Sequence, residues 1–201
     1  MQTTTQADLD ALRLDLTLKA KNGLNFIFAA AIIWFLIAYT WTLPYPAGGK
    51  GTLTFIIGGL MLPLAWLFSK LIHTAWNIPD NPLQSLGLWL NVAQLAYFPI
   101  LIFVYLRHTD HFVMVYVIIT AAHFLPYAWF YNTLAFAVVG VATAVGAAWL
   151  GLILTPAQTY LIPLLMAVSL VMLSVWLFID YRHKKASRLT APVVGRDAGM
   201  I

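Results

Sequence analysis

Long apolar runs interrupted by short polar connectors dominate the chain, and six of them match the roughly 20 residues a helix needs to cross a bilayer: 24–43, 53–72, 84–106, 112–132, 134–154 and 157–179. The pattern predicts an all-α, polytopic membrane protein with six transmembrane helices. Ahead of the first run, Leu9, Leu12 and Leu16 fall on one helical stripe with Asp15 and Lys19 paired on the polar side, and Thr5 with Asp8 forms a weak capping box. Such a segment either lies along the inner leaflet or packs beneath the bundle as a lead-in. The connectors carry turn chemistry: PYPAGGKG joins spans one and two, Asn81 with Pro82 opens span three, and Thr155 with Pro156 opens span six. Three regions follow: an amphipathic N-terminal segment (1–22), a six-helix transmembrane domain (23–180) and a basic, disordered cytoplasmic tail (181–201).

Composition agrees, with 62% hydrophobic and 9% charged residues and a mean hydropathy of +0.84. Charge adds orientation. Of the 11 Lys and Arg residues, Arg13, Lys19, Lys21, Lys70, Arg182, Lys184, Lys185, Arg188 and Arg196 fall on the side of the termini, and only Lys50 and Arg107 on the other. The positive-inside rule then places both termini in the cytoplasm. The net charge of +4 is explained by this topology, and no nucleic-acid partner is expected. With no cysteine, disulfide and thiolate chemistry are excluded.

No Asp, Glu, Lys or Arg occupies the middle of a span. Carboxylate-coupled ion transport is therefore disfavoured, as are paired-carboxylate and Ser-His-Asp hydrolysis. The polar residues within the hydrocarbon include Asn91 and Gln94 on span three and His123 and Tyr127 on span four, each pair sharing a helical face. Gln94 lies 13 positions before Arg107 and His123 lies 12 after His111. At about 1.5 Å per residue both sit near the midplane, with Asn91 and Tyr127 one turn nearer the cytoplasm. Pro63, Pro99, Pro126 and Pro163 should release the carbonyls of Gly59, Leu95, Ala122 and Thr159. The candidate ligand-binding residues are thus His123, Gln94, Asn91 and Tyr127, with hydrogen-bonded packing between the helices as the alternative role. Catalytic residues are not identifiable.

In the short RHTDH turn, His108, Asp110 and His111 form a weak metal candidate. No cofactor is expected; a lone central histidine gives little support to bis-histidine haem ligation. Span five pairs Gly140 with Ala144, Ala142 with Gly146 and Ala147 with Gly151, a spacing that suits close packing within the chain or a homo-oligomer through helix five. The eight tryptophans fall largely toward span ends, as interfacial anchors do. GGLMLPLAWLF (58–68) and AAHFLPYAWFY (121–131) are similar to one another in spans of the same direction.

LRLDLTLKAKNGLNFIFAAAIIW, PLAWLFSKLI, NPLQSLG and AAHFLPYAWFYNT together resemble an uncharacterised family of small bacterial integral membrane proteins, a domain of unknown function, from about Leu12 onward. The resemblance implies a bacterial cytoplasmic (inner) membrane location and transfers no site residues. Tryptophan-rich sensory proteins share a PYAW-like echo but have five spans. The expected function is binding or transport of a small neutral or amphiphilic compound through a midmembrane polar pocket. A structural or regulatory membrane subunit is the alternative, and a membrane-embedded enzyme ranks third. The expected partners are the lipid bilayer and that small-molecule ligand.

Overall fold

The structure is a computed structural model and describes residues 5–190. Six of its helical stretches are long and apolar enough to cross a membrane. Among the described residues no strand occurs.

Helix α1 (Gln6–Ala20) begins at Thr5, whose hydroxyl accepts from the Asp8 amide at 3.2 Å while its own amide donates to the Asp8 carboxylate at 3.0 Å. The helix ends where Lys21, Asn22 and Gly23 all take positive φ, reversing the chain into α2 (Leu24–Thr42). Asn22 tolerates this conformation, and its buried amide donates to the Leu177 carbonyl at 3.1 Å and to Asp180 at 2.9 Å. Of the two placements open to α1, the structure has it packed beneath the bundle. Arg13, Leu16 and Thr17 are buried. The Arg13 guanidinium stacks on Trp129 at 4.8 Å and donates to its carbonyl, and Thr17 donates to the Tyr131 carbonyl at 3.2 Å. Asn81 donates to the Leu12 carbonyl at 2.9 Å and to Asp15 at 3.1 Å, tying α1 to the connector that follows span two.

Span one, α2, is the most buried element and packs against the last helix, α10 (Leu161–Thr190), and against the second span. The second, third and fourth spans are each broken in two. They comprise α3 (Ala47–Gly58) with α4 (Met61–Leu71), α5 (Gln84–Leu95) with α6 (Phe98–Arg107), and α7 (Phe112–Ala122) with α8 (Leu125–Phe130). Each break lies just ahead of a proline: Pro63, Pro99 and Pro126. A proline ring clashes with the carbonyl four residues back, and the chain responds by tightening. Leu60 N–H bonds to the Ile57 carbonyl, Tyr97 N–H to Gln94 and Phe124 N–H to Ala121, all three residues apart. Pro163 behaves differently from expectation. It falls in the first turn of α10, where no carbonyl of a preceding turn needs its N–H, and the helix runs on unbroken.

Helix α9 (Ala135–Ile153) forms the fifth span and packs against α7, α8 and α10. Its small residues serve contacts within the chain: a Cβ on Gly140 would stand 2.7 Å from the Ala121 carbonyl oxygen, and one on Gly146 would stand 3.0 Å from Leu165. Two tryptophans depart from the anchor pattern. Trp34 and Trp41 are only 3% and 5% exposed, Trp34 packing on Tyr116 and Trp41 donating to Thr54 at 3.0 Å. The tail expected to be disordered from residue 181 is helical as far as Thr190, because good helix formers continue and Lys184 pairs with Asp180 at 2.7 Å one turn back. Lys184 also donates to the Tyr131 and Asn132 carbonyls. The remainder of that expected tail, 191–201, lies outside the described residues.

Candidate functional site

A cavity of about 380 Å³ lies among spans one to four. Its wall includes Trp34 from α2, Gly58 and Leu62 from the second span, Gln94 from α5 and Phe124 at the break of the fourth span. Leu16 and Ala20 of α1, with Trp76 and Ile78 of the connector, line one end. Two of the breaks border this space: Gly58 and Met61 flank the one between α3 and α4, and His123 and Phe124 form the one between α7 and α8.

Asn91, Gln94, His123 and Tyr127 all line this one cavity. No direct rung forms between them, however. Among the described residues, no hydrogen bond joins Gln94 to His123 or Asn91 to Tyr127; Asn91 instead donates to the Gly87 carbonyl of its own helix at 2.9 Å. The Tyr127 hydroxyl is buried and unpartnered among the described residues, while its ring meets the His123 imidazole edge-on at 5.2 Å. These side chains therefore hold unspent hydrogen-bonding capacity beside an open space, rather than knitting two helices together.

Sequence reasoning missed part of the wall. Tyr116, Thr120, His123 and Tyr127 follow one another at intervals of four, three and four, a single helical stripe of polar side chains that the break does not disrupt. That spacing was visible in the sequence. Trp34, Asn25 and Gln84 also line the cavity; Asn25 is buried and donates to the Ala65 carbonyl at 3.3 Å. No Asp, Glu, Lys or Arg belongs to the wall, whereas nine aromatic residues do. Such a lining suits an uncharged guest, since burying a charge without a counter-charge costs several kcal/mol (about 3 or more) even after relaxation.

His108, Asp110 and His111, the weak metal candidate, sit at the turn between α6 and α7. Among the described residues, no group of three or more His, Asp or Glu side chains is placed to hold an ion. Thr109–His111 is a single 3₁₀ turn, in which successive side chains point about 120° apart. Asp110 and His111 line a separate hollow with Lys50 and Tyr45, while His108 packs against Phe103 at 6.0 Å.

No curated protein and no solved structure matches the chain. Residues 9–180, nearly the whole of the helical assembly, match the family described as "Family of unknown function (DUF7010)", and the chain belongs to that family.

Proposed function

We propose that this protein binds a small, neutral or amphiphilic compound in the cavity between spans one and four, in a membrane whose cytoplasmic face lies on the side of α1. What carries the reading is the composition of the wall: polar groups with spare hydrogen-bonding capacity set among aromatic rings, with no charged side chain. About 380 Å³ falls within the range of roughly 300 to 1,000 Å³ typical of small-molecule pockets. Gln94, His123, Asn91 and Tyr127 would orient the guest's polar end, and Trp34 and the phenylalanines would cover its apolar body. Movement of the guest across the membrane would need the broken helices to rearrange; binding does not. The resemblance to small bacterial integral membrane proteins makes the bacterial inner membrane the expected setting, and the positive charge gathered around the termini orients the chain within it.

The test is photolabelling of the protein in lipid nanodiscs with 3-azioctanol, a neutral alcohol bearing a diazirine, followed by peptide mapping. Saturable labelling of residues 84–94 and 116–127, competed by excess octanol and reduced by His123→Phe, supports the reading. Labelling that never saturates and falls only on lipid-facing side chains refutes it.

A further inference from the structure

The cavity does not close on the side of span three. Leu62 of α4 and Leu88 of α5 both belong to its wall, and yet they are 64% and 63% exposed on the outer surface of the bundle. Helix α5 buries none of its residues, and its backbone approaches no other helix closely along any length. Its tight contact is local: a Cβ on Gly87 would stand 2.9 Å from the Phe130 ring. At the end of the cavity nearer the termini, α1 is held down by Arg13 on Trp129, Thr17 on Tyr131 and Asn81 on Leu12, beside a connector whose Ala75 and Trp76 line the wall and are themselves exposed. Apart from Asn91, the exposed surface around Leu62 and Leu88 is apolar, with Trp66, Leu67, Trp89 and Val92, and belongs to helices long and apolar enough to span a membrane, so the medium it faces is hydrocarbon.

We infer that the cavity fills sideways from the bilayer, through the gap between α4 and α5, and that its occupant is a single-chain amphiphile with an uncharged head. This rests on the reading of the cavity as a binding site, and adds the route and the class of guest. The head lies beside Gln94 and His123, where groups with spare hydrogen-bonding capacity gather, and the chain runs out past Leu62 and Leu88. Asn91, exposed on α5 and lining the same wall, stands where head and chain meet. An ionised head finds no counter-charge on the wall and stays outside. A molecule dissolved in the leaflet meets the gap directly.

Trp34 reports on this, being buried from the surrounding lipid and part of the cavity wall. Trp41 is nearly as buried but lines the other hollow, and serves as its control. Full-length variants keeping only Trp34 or only Trp41, the other tryptophans replaced by phenylalanine, are reconstituted in bilayers containing dibrominated monoolein, whose head is neutral, or dibrominated phosphatidylcholine at equal bromine content. Should these variants fold poorly, the difference in emission between the wild type and Trp34→Phe isolates the same signal. The expected result is that monoolein quenches Trp34 well beyond Trp41, that phosphatidylcholine quenches the two alike, and that Leu62→Phe with Leu88→Phe removes the excess. Equal quenching of Trp34 and Trp41 by both lipids overturns the sideways route, and excess quenching of Trp34 by phosphatidylcholine overturns the uncharged head. Saturable labelling by azioctanol that persists without Trp34 quenching refutes the route alone, and loss of both refutes the pocket itself.

Discussion

Replacing Tyr127 by phenylalanine deletes one oxygen and leaves the ring, so it isolates the hydroxyl. In most proteins removing a buried tyrosine hydroxyl is destabilising, because a hydrogen bond worth about 0.5 to 1.5 kcal/mol goes with it. Here the hydroxyl is buried with no partner among the described residues. The aromatic packing around it, stacked on Tyr131 at 6.2 Å and edge-on to Phe130 at 6.0 Å, involves the ring and survives the change. A polar group buried without a partner costs about 1 to 3 kcal/mol by mutational measure. Taking the low end of that range, a gain of about 1 kcal/mol is expected for the empty protein, which for a chain of this size is roughly 2 to 4 °C in melting temperature. Thermal unfolding of the delipidated protein in a neutral detergent, followed by near-ultraviolet circular dichroism, reads the shift. A loss of about 1 kcal/mol or more would mean that the hydroxyl is held by a structural hydrogen bond, and the argument from unspent polarity would fail at that residue.

Other perturbations probe the scaffold. Asn22→Ala forfeits two hydrogen bonds to α10 and places alanine at positive φ, and should cost about 2 to 4 kcal/mol in denaturant unfolding. Gly140→Ala drives a methyl group toward the Ala121 carbonyl oxygen of α7, a backbone atom that cannot swing aside, and a loss of about 1 to 3 kcal/mol is expected in the same assay. The seating of α1 should be acid-labile. Burial tends to raise the Asp15 carboxyl, but hydrogen bonds from Lys19 and Asn81 and the charges of Lys19 and Arg188 outweigh it and hold it below its ordinary value. A carboxylate so depressed contributes fully above its unfolded value of about 3.9 and loses that contribution as pH falls through the folded value. Amide exchange of α1, corrected for intrinsic rates, should therefore be unchanged from pH 7 to 5 and accelerate only below about 4; acceleration near pH 6 would contradict it.

Much of the fold could be read from local pattern because hydrocarbon imposes a single rule, that each backbone polar group be satisfied within its own helix. Length and hydropathy alone then place the spans, and three of the four prolines within them mark the breaks. Pro163 misled because its effect depends on where the helix begins, a boundary that hydropathy does not locate. The placement of α1 was undecidable from its own residues. What holds it is Arg13 on Trp129 and Thr17 on Tyr131, partners more than a hundred positions away. At the site, depth counting paired Gln94 with His123 and Asn91 with Tyr127, and all four line one cavity. The lateral separation of α5 from the fourth span has no such local signature. Side chains at equal depth could either bridge the helices or line a pocket between them, and all four face a common space.

Binding requires that this space stand open in the membrane and hold something other than protein. A high-resolution map of the protein in lipid nanodiscs tests it most directly. Elongated nonprotein density is expected, bounded by Gln94, His123 and Trp34 and leading outward between Leu62 and Leu88. A map in which α5 closes against the fourth span, with Gln94 hydrogen-bonded to His123 and no density between them, would contradict it.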